Sequence, residues 1–244
     1  MSPHGERVTF ASGADRVGGE LFAPRESPAP GVVVIHDVWG LTDLYRGFGR
    51  KLADAGFAAL SLDLSARGDR PGSPADMPGV MRFLHELPDA RVLADIQAAV
   101  DYLAARPEVG GGRVGLTGFC MGGKYTYLAA SHCTGLAAAV AWYGMLRAPS
   151  LDAANPEHAL DALERARCPV LGLFGAEDAL IPQSDVAELR RRAGEWQKPI
   201  EVVVYPGAGH AFANESRPEA YREAAASDGW RRALEFFAKH LSAR

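Results

Sequence analysis

One short stretch of the chain combines residue types that can do covalent chemistry. Gly118-Phe119-Cys120-Met121-Gly122 forms a G-x-C-x-G pattern between the apolar run Arg113 to Thr117 and a helical period that starts at Met121. A residue on so sharp a strand-to-helix turn needs small neighbours on both sides, since a bulky one would strike the strand or the helix. Cys120 is therefore expected to project from the carboxyl edge of a sheet. The free N–H groups and positive dipole end of the following helix point at the sulfur and favour thiolate over thiol. That is the chemistry of a nucleophile.

A nucleophile needs a base, and the base needs an acid to orient it. In a strand-turn-helix setting these follow later in the chain, acid first and histidine second, each in a loop after a strand. The run Pro169 to Phe174 ends in GAEDALIP, which offers Glu177 and Asp178, and the run Ile200 to Tyr205 ends in PGAGHAF, which offers His210. Asp178 is preferred because the apolar Ala-Leu-Ile-Pro segment after it supplies an anchor. Developing negative charge on an attacked carbonyl oxygen calls for two backbone donors, one just after the nucleophile and one after an early strand. Met121 and Val38, the latter in IHDVWGL, are the expected pair.

Other chemical candidates are weaker. Cys133 and Cys168 sit near a helix end and at the start of a core strand, and both read as structural. His4, His85, His132, His158 and His240 show no ligand spacing, and His36 reads as a packing or hydrogen-bonding residue, so no metal and no cofactor is expected. Gly110, Gly112 and Gly115 satisfy G-x-G-x-x-G but lead into a strand instead of opening a helix, which makes a tight turn the expected structure.

The elements that must position these residues alternate in α/β order. Strands are expected at Gly31 to Ile35, Phe57 to Leu62, Arg113 to Thr117, Leu136 to Trp142, Pro169 to Phe174 and Ile200 to Tyr205. Several are apolar at consecutive positions, as buried parallel strands are. Helices are expected over Leu44 to Ala55, Arg91 to Ala105, Met121 to Ala130, Gln183 to Ala193 and Tyr221 to His240. The first 24 residues form an antiparallel pair turning at Gly13 to Asp15. Ser65 to Pro88, broken by Gly68, Pro71, Gly72, Pro74, Pro78 and Gly79, reads as a long loop of the kind that often serves as a functional lid. With 244 residues and no linker, residues 1–244 are expected to form one domain.

Charge excludes some partners. Lys and Arg number 26 against 30 Asp and Glu, a net charge of -4, so the chain lacks the basic excess that nucleic acid or an anionic membrane surface attracts. Three cysteines without a C-x-x-C spacing, and no leader-like apolar run at the start, point to a cytoplasmic protein.

These motifs together resemble the dienelactone hydrolase family, cysteine-dependent members of the α/β-hydrolase fold. The resemblance is carried by HDVWGL, LDLSARG, GFCMGG, AWYG, GAEDALIP and GAGHAFAN, and it spans nearly the whole chain. It implies a mostly parallel central sheet with helices on both faces and a triad of Cys120, Asp178 and His210. It also implies a monomer or weak homodimer that opens enol lactones of the kind met in aromatic-compound degradation. The family's glutamate that interacts with the resting thiol corresponds to Asp37, one methylene shorter. The family's arginine four residues after the histidine, which pairs with a substrate carboxylate, corresponds to Asn214. Arg67, Arg70 and Arg82 are the available replacements for that cation, with Arg67 the chosen candidate, and Trp39 and Tyr143 are candidate pocket residues.

Sulfur as the nucleophile narrows the substrates. A thiol of pKa about 8.5 is itself a good leaving group, so the tetrahedral intermediate collapses forward only when the departing oxygen is comparably stable. Enol and aryl oxygens meet that condition, whereas amides do not. The expected activity is hydrolysis of enol lactones or activated esters, including small anionic ones. A general carboxylesterase, a hydrolase of another lactone, and a redox-responsive protein in which Cys120 is oxidised stand as alternatives.

Overall fold

The computed structural model describes residues 5–68, 70–73 and 76–241. Its opening strands, β1 (Glu6–Ser12) and β2 (Asp15–Phe22), pair antiparallel around a turn in which Gly13 takes a φ of 58°. That left-handed value suits glycine, which has no side chain to clash. The hairpin joins the main sheet through antiparallel pairing of β2 with β4 (Ala58–Asp63). The remaining strands are β3 (Ala29–Ile35), β5 (Val109–Phe119), β6 (Leu136–Trp142), β7 (Val170–Gly175) and β8 (Ile200–Tyr205), and β4-β3-β5-β6-β7-β8 run parallel. The eight-stranded order is β1-β2-β4-β3-β5-β6-β7-β8. This is the expected mixed sheet with antiparallel N-terminal strands.

Among the described residues seven helices cover it: α1 (Asp43–Asp54), α2 (Met77–Glu86), α3 (Asp89–Ala104), α4 (Met121–His132), α5 (Ala159–Ala162), α6 (Gln183–Glu195) and α7 (Glu223–Leu241), with α5 running on as a 3-10 turn over Leu163–Arg165. Two glycines show that they occupy both faces. A Cβ on Gly31 of β3 would press on Leu103 of α3, whereas one on Gly115 of β5 would press on Phe237 of α7. Gly31 pairs with Val114, and Val114 and Gly115 point to opposite sides of the pleat. On the α7 side, Phe48 of α1 packs edge-on against Trp230 at 4.9 Å. Helices of both layers thus bury the apolar runs of β3 to β7.

Strand order dictates where chemistry can occur. The chain leaves β3 on one side toward β4 and returns on the other toward β5, so the carboxyl ends of β3 and β5 diverge and open a crevice. The loop after β3 and the turn after β5 therefore lie side by side. Loops after β7 and β8 must reach back along the same edge.

Two sequence expectations fail here. The segment read as a long loop over Ser65 to Pro88 contains α2. Its prolines and glycines do not break it because they lie at its start: Asp76 caps the helix by accepting from the Gly79 N–H at 3.0 Å, and Pro78 sits in the first turn, where a missing N–H costs nothing. The glycine-rich run before Arg113 is not a separate tight turn either. It lies inside β5, which begins at Val109 pairing with Ala29, and Gly112 absorbs an irregular register with a φ of 63°. Among the described residues, no helix is long and apolar enough to cross a membrane.

Candidate active site

The turn after β5 is strained where a nucleophile would need it to be. Cys120 has φ 55° and ψ -112°, a left-handed conformation rare for a residue with a side chain. Its flanks explain why the surrounding pattern is glycine. A Cβ on Gly118 would lie 2.1 Å from the Gly122 carbonyl oxygen, and one on Gly122 would lie 2.6 Å from the Ile35 oxygen and 2.7 Å from that of His36. A Cβ on Gly123 would meet Trp142 O at 2.7 Å. The start of α4 thus packs backbone to backbone against the ends of β3 and β6. The Cys120 N–H donates to Trp142 O at 3.0 Å, and the Lys124 N–H closes the first helical turn on Cys120 O at 3.1 Å. Cys120 is partly exposed, while Cys133 and Cys168 are buried. Burial pushes both of those thiols up to about 12, which leaves them inert near neutral pH.

Asp178 and His210 arrive from the loops after β7 and β8. The Asp178 side chain is fully enclosed; its Oδ1 accepts from the Leu180 N–H at 2.9 Å and its Oδ2 lies 2.8 Å from His210 Nδ1. Glu177 is exposed on the same loop. The Leu180 bond shows how the apolar segment anchors the acid: it turns the carboxylate back over its own chain. His210 Nε2 is buried without a hydrogen-bond partner among the described residues. Burial by itself would lower the imidazole's pKa, but the negative charge of Cys120, together with the hydrogen bond to Asp178, outweighs it and holds the group at about 10. Cys120, His210 and Asp178 are therefore brought together in one electrostatic unit.

The loop after β3 is braced from both ends. His36 Nδ1 lies 2.5 Å from Asp37 O, and its Nε2 accepts the Leu64 N–H at 3.0 Å, so the buried ring ties the end of β3 to the end of β4. Burial lowers the His36 pKa, in keeping with a neutral ring that donates from one nitrogen and accepts at the other. Asp37 Oδ1 accepts the Trp39 N–H at 2.9 Å, a local turn that presents Val38. Val38, Met121, Cys120 and His210 all border one cavity of about 110 Å³. Met121 is the first residue of α4, so its N–H has no acceptor within the helix.

These features agree with a family comparison. The model of the dienelactone hydrolase family matches residues 17–241 of the chain. The chain belongs to the dienelactone hydrolase family. It is accordingly a hydrolase of the class that acts on lactone or ester bonds. A Salmonella typhimurium relative named "Putative carboxymethylenebutenolidase" is 41% identical over 216 residues, covering 86% of this chain and 77% of the relative. A Bradyrhizobium protein named "Probable 2-oxo-3-(5-oxofuran-2-ylidene)propanoate lactonase" is 34% identical over 212 residues, covering 87% of this chain and 84% of that one. A crystal structure titled "Putative Dienelactone Hydrolase" from Klebsiella pneumoniae superposes with a TM-score of 0.89 at 34% identity, covering 98% of this chain and all of that one.

The candidate substrate-binding residues do not all border the cavity. Arg67, the expected replacement cation, does not face the cavity. Its guanidinium grips Asp95 with contacts of 2.5 and 2.9 Å and reaches Asp15 at 3.2 Å, which fastens the segment after β4 to α3 and the N-terminal hairpin. Arg82 is exposed on α2 and borders neither active-site cavity. Tyr143 also lies outside the cavity wall: it is 1% exposed, has a φ of 40°, and packs edge-on behind His210 at 5.2 Å. Trp39 does line the cavity. Asn214 borders an adjoining, wider cavity of about 460 Å³, with its Oδ1 occupied by the Ser216 N–H and hydroxyl at 3.0 and 2.6 Å.

The residue that sequence reasoning misses is Arg217. It borders both cavities, and only its Nε is engaged among the described residues, by Glu219 at 2.9 Å. Successive turns, Asn214 N–H to Ala211 O and Arg217 N–H to Asn214 O, fold the segment after His210 back so that Arg217 faces the site. The second missed contribution is α2, whose Met77, Val80, Met81, Leu84 and His85 line the inner cavity. Their i, i+3, i+4, i+7, i+8 spacing is the signal that was available. Asp37 has no hydrogen bond to Cys120 among the described residues. Its carboxylate, raised in pKa by burial, is engaged by Trp39 and Tyr45 and lies in the field of Arg217.

Proposed function

We propose that the chain hydrolyses small enol lactones or comparably activated esters that carry a carboxylate, through a Cys120-His210-Asp178 triad. The observation that carries this reading is the shared cavity: a cysteine on a strained elbow and a histidine oriented by a buried carboxylate border the same space as two backbone donors. Cys120 sulfur attacks the carbonyl carbon, and the carbonyl π pair moves onto oxygen, where the Val38 and Met121 N–H groups receive it. Collapse of this intermediate breaks the bond to the enol oxygen, which takes the proton from His210 Nε2. A thioester is left on Cys120. Water then attacks it while His210 Nε2 accepts a proton, and the second collapse releases a carboxylic acid and restores the sulfur anion. Asp178 holds the imidazole so that Nε2 faces the sulfur throughout.

Arg217 supplies the cation for the substrate carboxylate in place of Asn214. Its support is position, at the junction of the inner apolar cavity and the outer polar one. A lactone ring in the first would place a carboxylate-bearing arm in the second. The Bradyrhizobium relative is named for a lactone of that kind. Asp37 acts by shaping the Val38 loop. The protein works as a monomer or weak homodimer in the cytoplasm, where a reducing environment keeps Cys120 off the path to sulfenic and sulfinic acids.

Cys120→Ala is the direct test, with p-nitrophenyl acetate and an enol lactone as substrates. Loss of turnover on both, together with an acyl adduct trapped on the parent protein and seen by mass spectrometry, supports the reading. Turnover retained by the variant overturns it. The apolar inner wall favours a second reading, a neutral esterase. Equal kcat/KM on carboxylate-bearing and neutral lactones would select it.

A further inference from the structure

The chain carries four methionines after Met1, namely Met77, Met81, Met121 and Met145, and all four border the inner cavity. They come from separate places: Met77 and Met81 lie one turn apart on α2, Met121 opens α4, and Met145 follows β6. Methionine used as core filler goes wherever gaps occur, so the gathering of every internal one around a single cavity calls for another reason. Met121 is 6% exposed and is fixed at the elbow by its backbone. The other three keep accessible surface. Met77 is 46% exposed, Met81 is half-buried, and Met145 is half-buried against the core.

A methionine side chain is unbranched, turns about three bonds, and carries a polarisable sulfur. Side chains that the core does not fix can change rotamer and lay that sulfur against a bound group. Contact between a thioether sulfur and a π system raises affinity by about twofold to tenfold. A saturated ring of the same size offers the sulfur dispersion and buried area only, and burial of apolar area counts the two rings alike. Val80, Leu84 and Leu180, which complete the apolar wall, therefore do not distinguish them. The cavity volume, about 110 Å³, is of the same order as the ~150 Å³ cavity that takes a benzene, so a single ring is what fits.

We infer that Met77, Met81 and Met145 are specificity-determining residues that select a flat, unsaturated ring over a saturated ring of the same size. This selection rests on the proposed hydrolase only in taking the ring to be part of the substrate. An enol lactone, flat and conjugated, is such a ring. The three side chains act on the ring and leave the attacked carbonyl to Cys120 and its partners.

Benzamide and cyclohexanecarboxamide separate the two kinds of ring, because they share an uncharged carboxamide, which gives Arg217 no ion to pair with, and differ in unsaturation. Titration of the whole protein, labelled with carbon-13 at the methionine methyl groups and followed by NMR, reads affinity and contact together. Benzamide is expected to bind about tenfold more tightly than cyclohexanecarboxamide and to shift the Met77, Met81 and Met145 methyl signals by its ring current. In the double variant Met81→Leu/Met145→Leu, which conserves volume, the preference is expected to fall to about threefold or less while cyclohexanecarboxamide stays within about twofold. If that variant does not fold, Met77→Leu, at an exposed position, decides, with a fall in the preference of about twofold or more. Equal binding of the two amides by the parent protein, benzamide binding that leaves the three methyl signals in place, or a preference that survives the substitutions overturns the inference. Turnover of p-nitrophenyl acetate by the parent protein, measured alongside, tests the hydrolase reading separately, because the titrations need no catalysis. A ring preference without turnover sinks the hydrolase alone, and turnover without a ring preference sinks the methionine wall alone.

Discussion

His210 Nδ1 lies 2.8 Å from Asp178 Oδ2, and the same carboxylate is held from its other oxygen by the Leu180 N–H at 2.9 Å. The acid is therefore doubly restrained, once by its own loop and once by the ring that it orients. With Nδ1 pinned to a carboxylate, Nε2 is the ring nitrogen left for the proton transfers of the proposed reaction.

Replacing that acid tests the restraint. Asp178→Asn keeps the shape but lets the amide stabilise the other imidazole tautomer, and kcat/KM for p-nitrophenyl acetate is expected to fall roughly 10³–10⁴-fold. A loss of less than about tenfold would show that His210 is oriented by something else.

The raised pKa of His210 has a direct signature. Burial lowers it, but the Cys120 charge and the Asp178 hydrogen bond carry it to about 10, against 6.5 for a free imidazole. The imidazolium is thus stabilised by folding; that contribution is complete below about pH 6.5 and is lost as pH rises through about 10. The descending limb of kcat/KM is expected near pH 10. In Cys120→Ala the largest raising influence is gone, and the imidazole titration followed by NMR should move to lower pH. An unchanged titration would mean that the sulfur carries no charge beside the ring.

Backbone crowding at the elbow makes Gly122→Ala costly. The added Cβ would meet Ile35 O at 2.6 Å and His36 O at 2.7 Å, both of them backbone atoms of the Val38 loop. Overpacking of this kind costs about 1–3 kcal/mol, a fall in Tm of roughly 2–12 °C at 2–4 °C per kcal/mol for a chain of this size. Because the displaced atoms lead into Val38, the proposed oxyanion donor, kcat should drop in any fraction that remains folded. An unchanged Tm, measured by calorimetry, would contradict the packing described.

Arg217→Gln probes the carboxylate position. The guanidinium is about half exposed, so its ionic contact is screened and belongs at the low end of the range for charged hydrogen bonds. The ratio of kcat/KM for a carboxylate-bearing lactone to that for its neutral methyl ester is expected to fall about tenfold. The same change made at Arg67, which is engaged by Asp95 and Asp15, should lower Tm without moving that ratio.

Much of this molecule is legible in its residues because its signals are local. Glycines on both sides of Cys120 are demanded by atoms within a few residues of it and by the ends of β3 and β6, and consecutive apolar residues mark parallel strands wherever they occur. Asp178 and His210 follow from the same logic, since each lies just past a strand end whose position the apolar pattern discloses. Helix α2 was hidden by its prolines and glycines, which break a helix in its middle but not at its first turn.

What only the tertiary structure decided is which side chains face the cavity. Arg67 lies in the segment expected to supply a cation, yet its guanidinium is held by Asp95 and Asp15 and borders neither cavity. Tyr143 follows a strand end just as Cys120 does, yet its ring turns into the core behind His210. Arg217 reaches the site through turns whose direction depends on hydrogen bonds formed after the loop has folded. Residue type and spacing determine the chemistry a strand end can present. The direction of a long side chain is set by charges and packing contributed from elsewhere in the chain, and for that reason the candidate nucleophile Cys120 is legible in sequence and the cation that borders the cavity, Arg217, is not.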